Sequence, residues 1–234
     1  SLSGGGRQGQ ETSFLNRGGE IERLEESVAD AGEKLAALLE RFNEGALRVC
    51  KGQQWDMEFE TSSLVTEAQY MAMIADKTAA LIEMSVRLGA VLGGGDPELE
   101  KELILFARSV GFAFQLQDDF LDVYGNTTEF GKECGDDIVT NKQTYLSVLA
   151  QTLATAEQLE RYQEYKRLGA MHREEKIRKV MAFYDELGIR ERCERAIAEH
   201  LRAAEEYLHR CEERLGRTSA PIRALFLSLG GRKF

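Results

Sequence analysis

Residues 114–125 read FQLQDDFLDVYG, and three of the twelve are aspartates, Asp118, Asp119 and Asp122. Upstream, Leu99, Leu103, Phe106, Val110 and Phe114 recur at steps of three or four, the spacing of an amphipathic helix. Asp96 and Pro97 have the chemistry of its N-cap and first turn. A helix continued through the acids puts Gln115, Asp118, Asp119 and Asp122 on one face. Neighbours at that spacing lie about 5–6 Å apart at Cβ, so ionised carboxylates repel unless a cation sits between them. Magnesium suits such a site, because it takes oxygen ligands, keeps several waters and uses one or two carboxylates together with substrate phosphates. A solvated acidic face is the plain alternative in a chain with 40 Asp and Glu. Phe114, Leu116, Phe120, Leu121 and Val123, interleaved with the acids, argue against it, since both sides of this helix cannot face water.

Working outward, the 234-residue chain has 43% hydrophobic and 30% charged residues and only two prolines, Pro97 and Pro221. Long helical periodicities and scarce strand-like alternation make it all-α, with enough apolar side chain for a sizeable core. The net charge of −10, with no basic patch interleaved with aromatics, argues against a nucleic-acid surface. No apolar run approaches a membrane span, and no secretory h-region opens the chain. Cys50, Cys134, Cys193 and Cys211 are far apart with no CxxC spacing, which reads as reduced thiols in a cytoplasmic protein.

Residues 1–20 are rich in Gly, Ser and Gln and lack periodicity, so a flexible or tag-like segment is expected there. Residues 21–234 are expected to form one helical domain. Its first helix should run over 21–49, with Leu24, Val28, Leu35, Leu38 and Phe42 on one stripe. The second should run over 66–92 and end at the glycines 93–95, and the third over 97–124. Residues 125–141 form a polar, glycine-bearing segment. Helices are expected again over 142–155, 156–168, 173–187 and 190–214, followed by a short one in 219–230. The seam of Cys193, Ile197, Leu201, Ala204 and Leu208 suits packing on the outside of a bundle.

Five short motifs occur together: GQQWD at 52–56, Lys77-Thr78, FQLQDDFLD at 114–122, FGKECGDDI at 130–138 and NKQTYL at 141–146. In order and rough spacing they resemble the trans-isoprenyl diphosphate synthases, from about Ile21 to the C-terminus. The resemblance implies an isoprenoid synthase fold, antiparallel helices around a central cavity. It also implies a magnesium-dependent prenyltransferase that condenses isopentenyl diphosphate with an allylic diphosphate. Asp118, Asp119 and Asp122 resemble the second aspartate-rich motif, which holds magnesium. Lys77, Lys132 and Lys142 resemble the diphosphate-binding lysines, and Thr78 and Gln115 the polar pair beside the developing allylic cation. Gln53 and Asp56 match a position near the cavity, and Trp55 reads as ordinary packing. Elementary chemistry agrees: a departing diphosphate needs cations placed beforehand, and the carbocation needs a dry cavity, which Phe114, Met73 and Met84 are expected to wall.

The family's first aspartate-rich motif, on a facing helix, has no counterpart here. The chain is therefore expected to lack N-terminal helices or to be a natural short homologue, and as given to bind diphosphate and magnesium weakly without turnover. Two other readings are a non-catalytic partner subunit, against which the kept aspartates and lysines speak, and a terpene cyclase relative. For the cyclase, Thr144 stands where a metal-binding Glu is wanted. A homodimer is expected from the resemblance and from the stripe of Leu24, Val28, Leu35 and Phe42. His172, His200 and His209 have no partners at ligand spacing and receive no role.

Overall fold

The computed structural model describes the backbone of residues 7–62, 64–125, 134–169 and 172–230, with side chains from residue 19 to residue 228 of those ranges. Every regular element among them is helical. The helices are α1 (Arg7–Glu60), α2 (Glu67–Ile74), α3 (Ala80–Gly93), α4 (Pro97–Tyr124), α5 (Asp136–Val139), α6 (Tyr145–Leu153), α7 (Ala156–Lys166), α8 (Arg173–Glu186), α9 (Ile189–Leu215) and α10 (Ala220–Gly230). A π-turn, Ala75–Ala79, joins α2 to α3.

Helix α4 is the axis of the molecule, packed along α9 and α3 and touching the π-turn, α2, α5 and α6. Its start follows the expected chemistry: Asp96 Oδ1 accepts the Glu98 and Leu99 N–H groups at 2.9 Å, and Pro97 occupies the first turn. Before it, Gly94 closes α3 at φ 66°, a left-handed conformation that glycine adopts without penalty. The main core joins α4 to α2 and α6–α9 through Tyr70, Ile74, Leu116, Phe120, Leu146, Phe183, Tyr184, Ile189 and Ile197. Helix α9 buries its expected seam and exposes its other side: Cys193 and Ile197 join this core, and Ala204 and Leu208 form a second cluster with Phe106, Val110 and Phe226.

The first helix departs most from expectation. It starts at Arg7, inside the stretch expected to be flexible, and runs unbroken for 54 residues, about 80 Å at 1.5 Å per residue. It also continues past residue 49 through Gly52, which is no helix breaker here. A Cβ on Gly52 would lie 2.1 Å from the Lys77 nitrogen, so the missing side chain lets α1 touch the π-turn backbone to backbone. Gly111 of α4 does the same from the other side, where a Cβ would lie 2.6 Å from Ala79 Cα. The 66–92 helix is thus interrupted at the residues these two helices clamp. Likewise, the helix expected over 142–155 spans only Tyr145–Leu153, since Asn141 takes φ 58° and leaves Lys142 in a connector.

Glu83, 3% exposed on α3, locks α1 to α4. Arg48 Nη1 donates to it at 2.6 Å and Arg108 Nε at 2.7 Å, and these two guanidiniums hold its carboxyl below the usual range against the opposing effect of burial. Farther out, residues 20–36 of α1 are all exposed, including Leu24 at 65% and Val28 at 71%.

Gly52→Ala is expected to destabilise the chain by about 1–3 kcal/mol in urea denaturation, as overpacking does. Gly89→Ala, where nothing lies within 4 Å of the new Cβ, should instead stabilise by about 0.5–1 kcal/mol through helix propensity. Equal effects of the two substitutions would contradict the clamp.

Candidate active site

The clamp determines where Lys77 and Thr78 point. Consecutive residues in the π-turn, they reach opposite neighbours. The Lys77 ammonium pairs with Asp56 of α1, and the Thr78 hydroxyl donates to Gln115 Oε1 of α4 at 2.7 Å. Gln115, its amide so oriented, donates through Nε2 to Asp119 Oδ1 at 3.1 Å. A continuous polar chain therefore runs from Thr78 of the π-turn to the acidic turn of α4. π-Turns within α-helices are common at functional sites.

The three aspartates are divided by depth. Asp119 is 1% exposed and accepts three hydrogen bonds, from the Tyr70 hydroxyl, the Tyr145 N–H at 2.8 Å and Gln115. Burial pushes its carboxyl up to about 6 even so, the desolvation outweighing all three donors. Asp118 is exposed and has no hydrogen-bond or ion-pair partner among the described residues. Asp122, one turn on and half-buried, accepts the Asp137 N–H on Oδ2 at 3.0 Å. Its carboxyl is also pushed up to about 6, by burial first and then by the Asp137 charge.

Beyond α4, Gly135 at φ 89° turns the chain so that its N–H reaches the Asp122 carbonyl at 2.6 Å. Lys142 Nζ lies 3.2 Å from Asp137 Oδ1, and the nearby Asp137 and Asp119 charges raise its pKa against the lowering effect of burial. Lys132 lies outside the described residues. No group of three or more His, Cys, Asp or Glu side chains among the described residues is gathered so as to hold a metal by itself. Asp118 and Asp122, at i and i+4, fit the other mode, in which one or two carboxylates share magnesium with substrate phosphates.

From Lys77 and Thr78 a cavity of about 500 Å³ extends between α3, α4 and α10, lined further by Ile82, Phe106, Phe114 and Phe226. Phe114 is the one expected wall residue that lines it. Met73 is buried in the main core and Met84 packs against Gly45 of α1, because their faces of α2 and α3 turn inward. Gln53 is exposed, and Trp55 packs partly against the core under the Lys51 ammonium at 4.5 Å. Thr144 caps α6 by accepting the Ser147 N–H at 3.3 Å. His200 meets the Phe112 ring edge and His209 lies beside Glu213, both remote in sequence from the acidic turn. Tyr70 and Asp137 are not among the expected site residues, and the fold alone brings the Tyr70 hydroxyl to Asp119 and the Asp137 N–H to Asp122.

In magnesium-free buffer, Asp122→Asn is expected to be more stable than the parent near pH 7, with the advantage shrinking toward pH 5. The folded value lies above the ordinary 3.8, so the native parent takes up a proton in that window and the penalty on its charged form disappears. His200, depressed by burial, titrates in both proteins and cancels in the difference. Urea midpoints at the two pH values check this, and a gap that is constant or widens toward low pH would contradict it.

Residues 20–186 match the Polyprenyl synthetase family. A short chain isoprenyl diphosphate synthase of Methanothermobacter thermautotrophicus is 35% identical over 184 residues, which cover 79% of this chain and 56% of that protein. The structure of geranylgeranyl pyrophosphate synthetase from Pyrococcus horikoshii superposes with a TM-score of 0.69 and 31% identity, covering 76% of this chain and 53% of that one. Geranylgeranyl pyrophosphate synthase from Corynebacterium glutamicum, solved with isoprenyl diphosphate and magnesium, gives 0.72 and 27%, covering 86% and 56%. The chain thus spans about half the length of these relatives. It shares their all-α isoprenoid synthase fold, and with the match extending over most of its length, it belongs to the polyprenyl synthetase family.

Proposed function

We propose that the protein is an isoprenyl diphosphate synthase that condenses isopentenyl diphosphate with an allylic diphosphate, and that the π-turn and the acidic turn of α4 hold the allylic partner. One observation carries this reading: Thr78 is tied through Gln115 to the acidic turn, and the apolar cavity begins at Thr78 and its neighbour Lys77. A ligand with a doubly anionic head and a hydrocarbon tail matches that junction.

In this reading Lys77, held by Asp56, and Lys142, held by Asp137, bind the diphosphate oxygens. Lys132 is assigned the same task by its place in the motif. Magnesium bound at Asp118 and Asp122 supplies charge neutralisation for the departing diphosphate. Asp119 serves as the strut that fixes Gln115, Tyr70 and the start of α6. As the allylic C–O bond breaks, the Thr78 hydroxyl and the Gln115 carbonyl oxygen face the developing cation, and the apolar lining excludes water. The isopentenyl double bond then attacks, and the proton lost in forming the new double bond passes to the released diphosphate. Thr144, occupied as a helix cap, disfavours the cyclase alternative.

The exposed stripe of Leu24, Val28 and Leu35 supports a homodimer in which α1 meets its counterpart. The unpaired Cys50, Cys134, Cys193 and Cys211 support a cytoplasmic setting. No helix among the described residues is long and apolar enough to cross a membrane.

Calorimetric titration with inorganic diphosphate, with and without magnesium, tests the site. Asp118→Ala should leave stability within about 0.5 kcal/mol, as for an exposed side chain. The same substitution should cut magnesium-dependent diphosphate affinity at least about tenfold, which is about 1.4 kcal/mol. Unchanged affinity would refute the assignment. For the dimer, light scattering at micromolar concentration should give twice the mass of the chain, and a monomer throughout would count against it.

A further inference from the structure

Helix α8 supplies no residue to the polar site, yet its first turns grip the segment that does. Arg173, Lys176 and Ile177 stand at i, i+3 and i+4, on one face of the helix. Arg173 Nη2 lies 2.8 Å from Asp136 Oδ1 and donates to the Cys134 carbonyl at 3.4 Å. Ile177 packs so close to Gly135 that a Cβ there would lie 2.6 Å from its Cδ1. Lys176 is the buried member, 2% exposed, and its Nζ donates to the Val139 and Lys166 carbonyls, each at 3.0 Å.

Both carbonyls are the last of their helices, α5 and α7, where backbone acceptors have no intrahelical partner and a cation is favoured. No carboxylate among the described residues pairs with Lys176, and burial, with the nearby Lys166 charge, holds its pKa below the ordinary lysine value. An ammonium desolvated in this way adds little to stability by itself. Its place in the chain is the informative feature. Residues 136–142 are bonded to themselves as one unit, since the Thr140 N–H reaches the Asp136 carbonyl at 2.9 Å and the Lys142 N–H the Asp137 carbonyl at 3.0 Å. That unit offers the Asp137 N–H to Asp122 and carries the Lys142 ammonium beside Asp137. Lys176 fastens its middle, at Val139, to α7 and α8.

We propose that Lys176, together with Arg173, is a positioning residue for the diphosphate site, holding residues 136–142 so that Lys142 stands where the anion binds. This rests on the reading of Lys142 as a diphosphate ligand. Lys176 touches no reacting group, because both of its bonds go to backbone carbonyls behind the unit. Its effect reaches the anion only through Lys142. Removing the ammonium leaves the Val139 carbonyl buried without its donor, and the unit must move toward water to satisfy it. Lys142 moves with it, since the two residues belong to one hydrogen-bonded unit.

The test titrates the full chain with inorganic diphosphate by calorimetry, without magnesium so that the lysines are read directly, and well below each variant's unfolding midpoint. Lys142→Ala should weaken binding about tenfold, the worth of one charged hydrogen bond. Lys176→Met, which keeps an apolar stem and removes the donors, should weaken it by a similar factor. Arg173→Ala, at a partly exposed position, should weaken it about threefold. In the Lys142→Ala background neither substitution should weaken binding further, because a positioning residue acts only through the group it positions. Tyr162→Phe, which breaks a buried hydroxyl pair 3.1 Å from Tyr184, should lower stability and leave the affinity unchanged. Parent-like affinity in Lys176→Met and Arg173→Ala, losses that persist in the Lys142→Ala background, or an equal loss in Tyr162→Phe would overturn the proposal. If Lys176→Met does not fold, the Arg173→Ala pair decides by the same criteria. Parent-like affinity in Lys142→Ala is a separate result, which would defeat the assigned site and the proposal with it.

Discussion

The arrangement depends on a contact between backbones. Gly52 of α1 and Gly111 of α4 close on the π-turn from two sides, at distances that leave no room for a methyl group on either. The clamp holds a segment whose hydrogen-bond pattern is less regular than that of the helices it joins. The consequence is directional. Lys77 and Thr78, adjacent in sequence, point one toward α1 and the other toward α4, so the π-turn is wired to both helices at once. An uninterrupted helix would advance the second residue by about 100° and one rise, with no such division assured.

Electrostatics then separates structure from chemistry among the acids. Glu83 and Asp119 are both buried, yet they behave differently. Glu83 faces two guanidiniums, whose attraction exceeds its desolvation and depresses its pKa. Asp119 is hydrogen-bonded by neutral donors alone, and these together with the nearby Lys142 charge do not offset its burial. Glu83 therefore serves as an ionic lock between α1, α3 and α4, whereas Asp119 organises a hydroxyl, an amide and a backbone N–H around the acidic turn. Asp118 and Asp122, nearer the surface, keep lone pairs that a cation would use. Repulsion from Asp137 leaves Asp122 poised for such a counter-charge.

What was legible in the sequence was local. The start of α4 was readable because Asp96 and Pro97 act within one turn, and the acidic face because its spacing is helical. The pairing of Thr78 with Gln115 came from a family resemblance, and the fold brings the two side chains together. The passage of α1 through Gly52 was not readable, since a glycine marks a break or a close contact equally well and only the neighbouring backbone decides. The π-turn was hidden for the same reason: residues 75–79 have ordinary helix-forming side chains, and the irregularity lies in what packs against them. The depth of Asp119 depends on Tyr70, 49 residues away, and the exposure of Leu24 and Val28 on what α1 does not touch. Periodicity reports that a face is apolar and leaves open whether anything covers it.

The central claim is that the π-turn and the segment after α4 form one anion site. The most direct measurement is a titration of chain carrying ¹⁵N-labelled lysine side chains with inorganic diphosphate in the presence of magnesium, followed through the Lys77 and Lys142 ammonium resonances, assigned by Lys→Arg substitution. The account predicts that both resonances shift along the same curve, with a single affinity that weakens when magnesium is withdrawn. Shifts with two unrelated affinities, or a Lys77 signal that does not respond while Lys142 does, would contradict it.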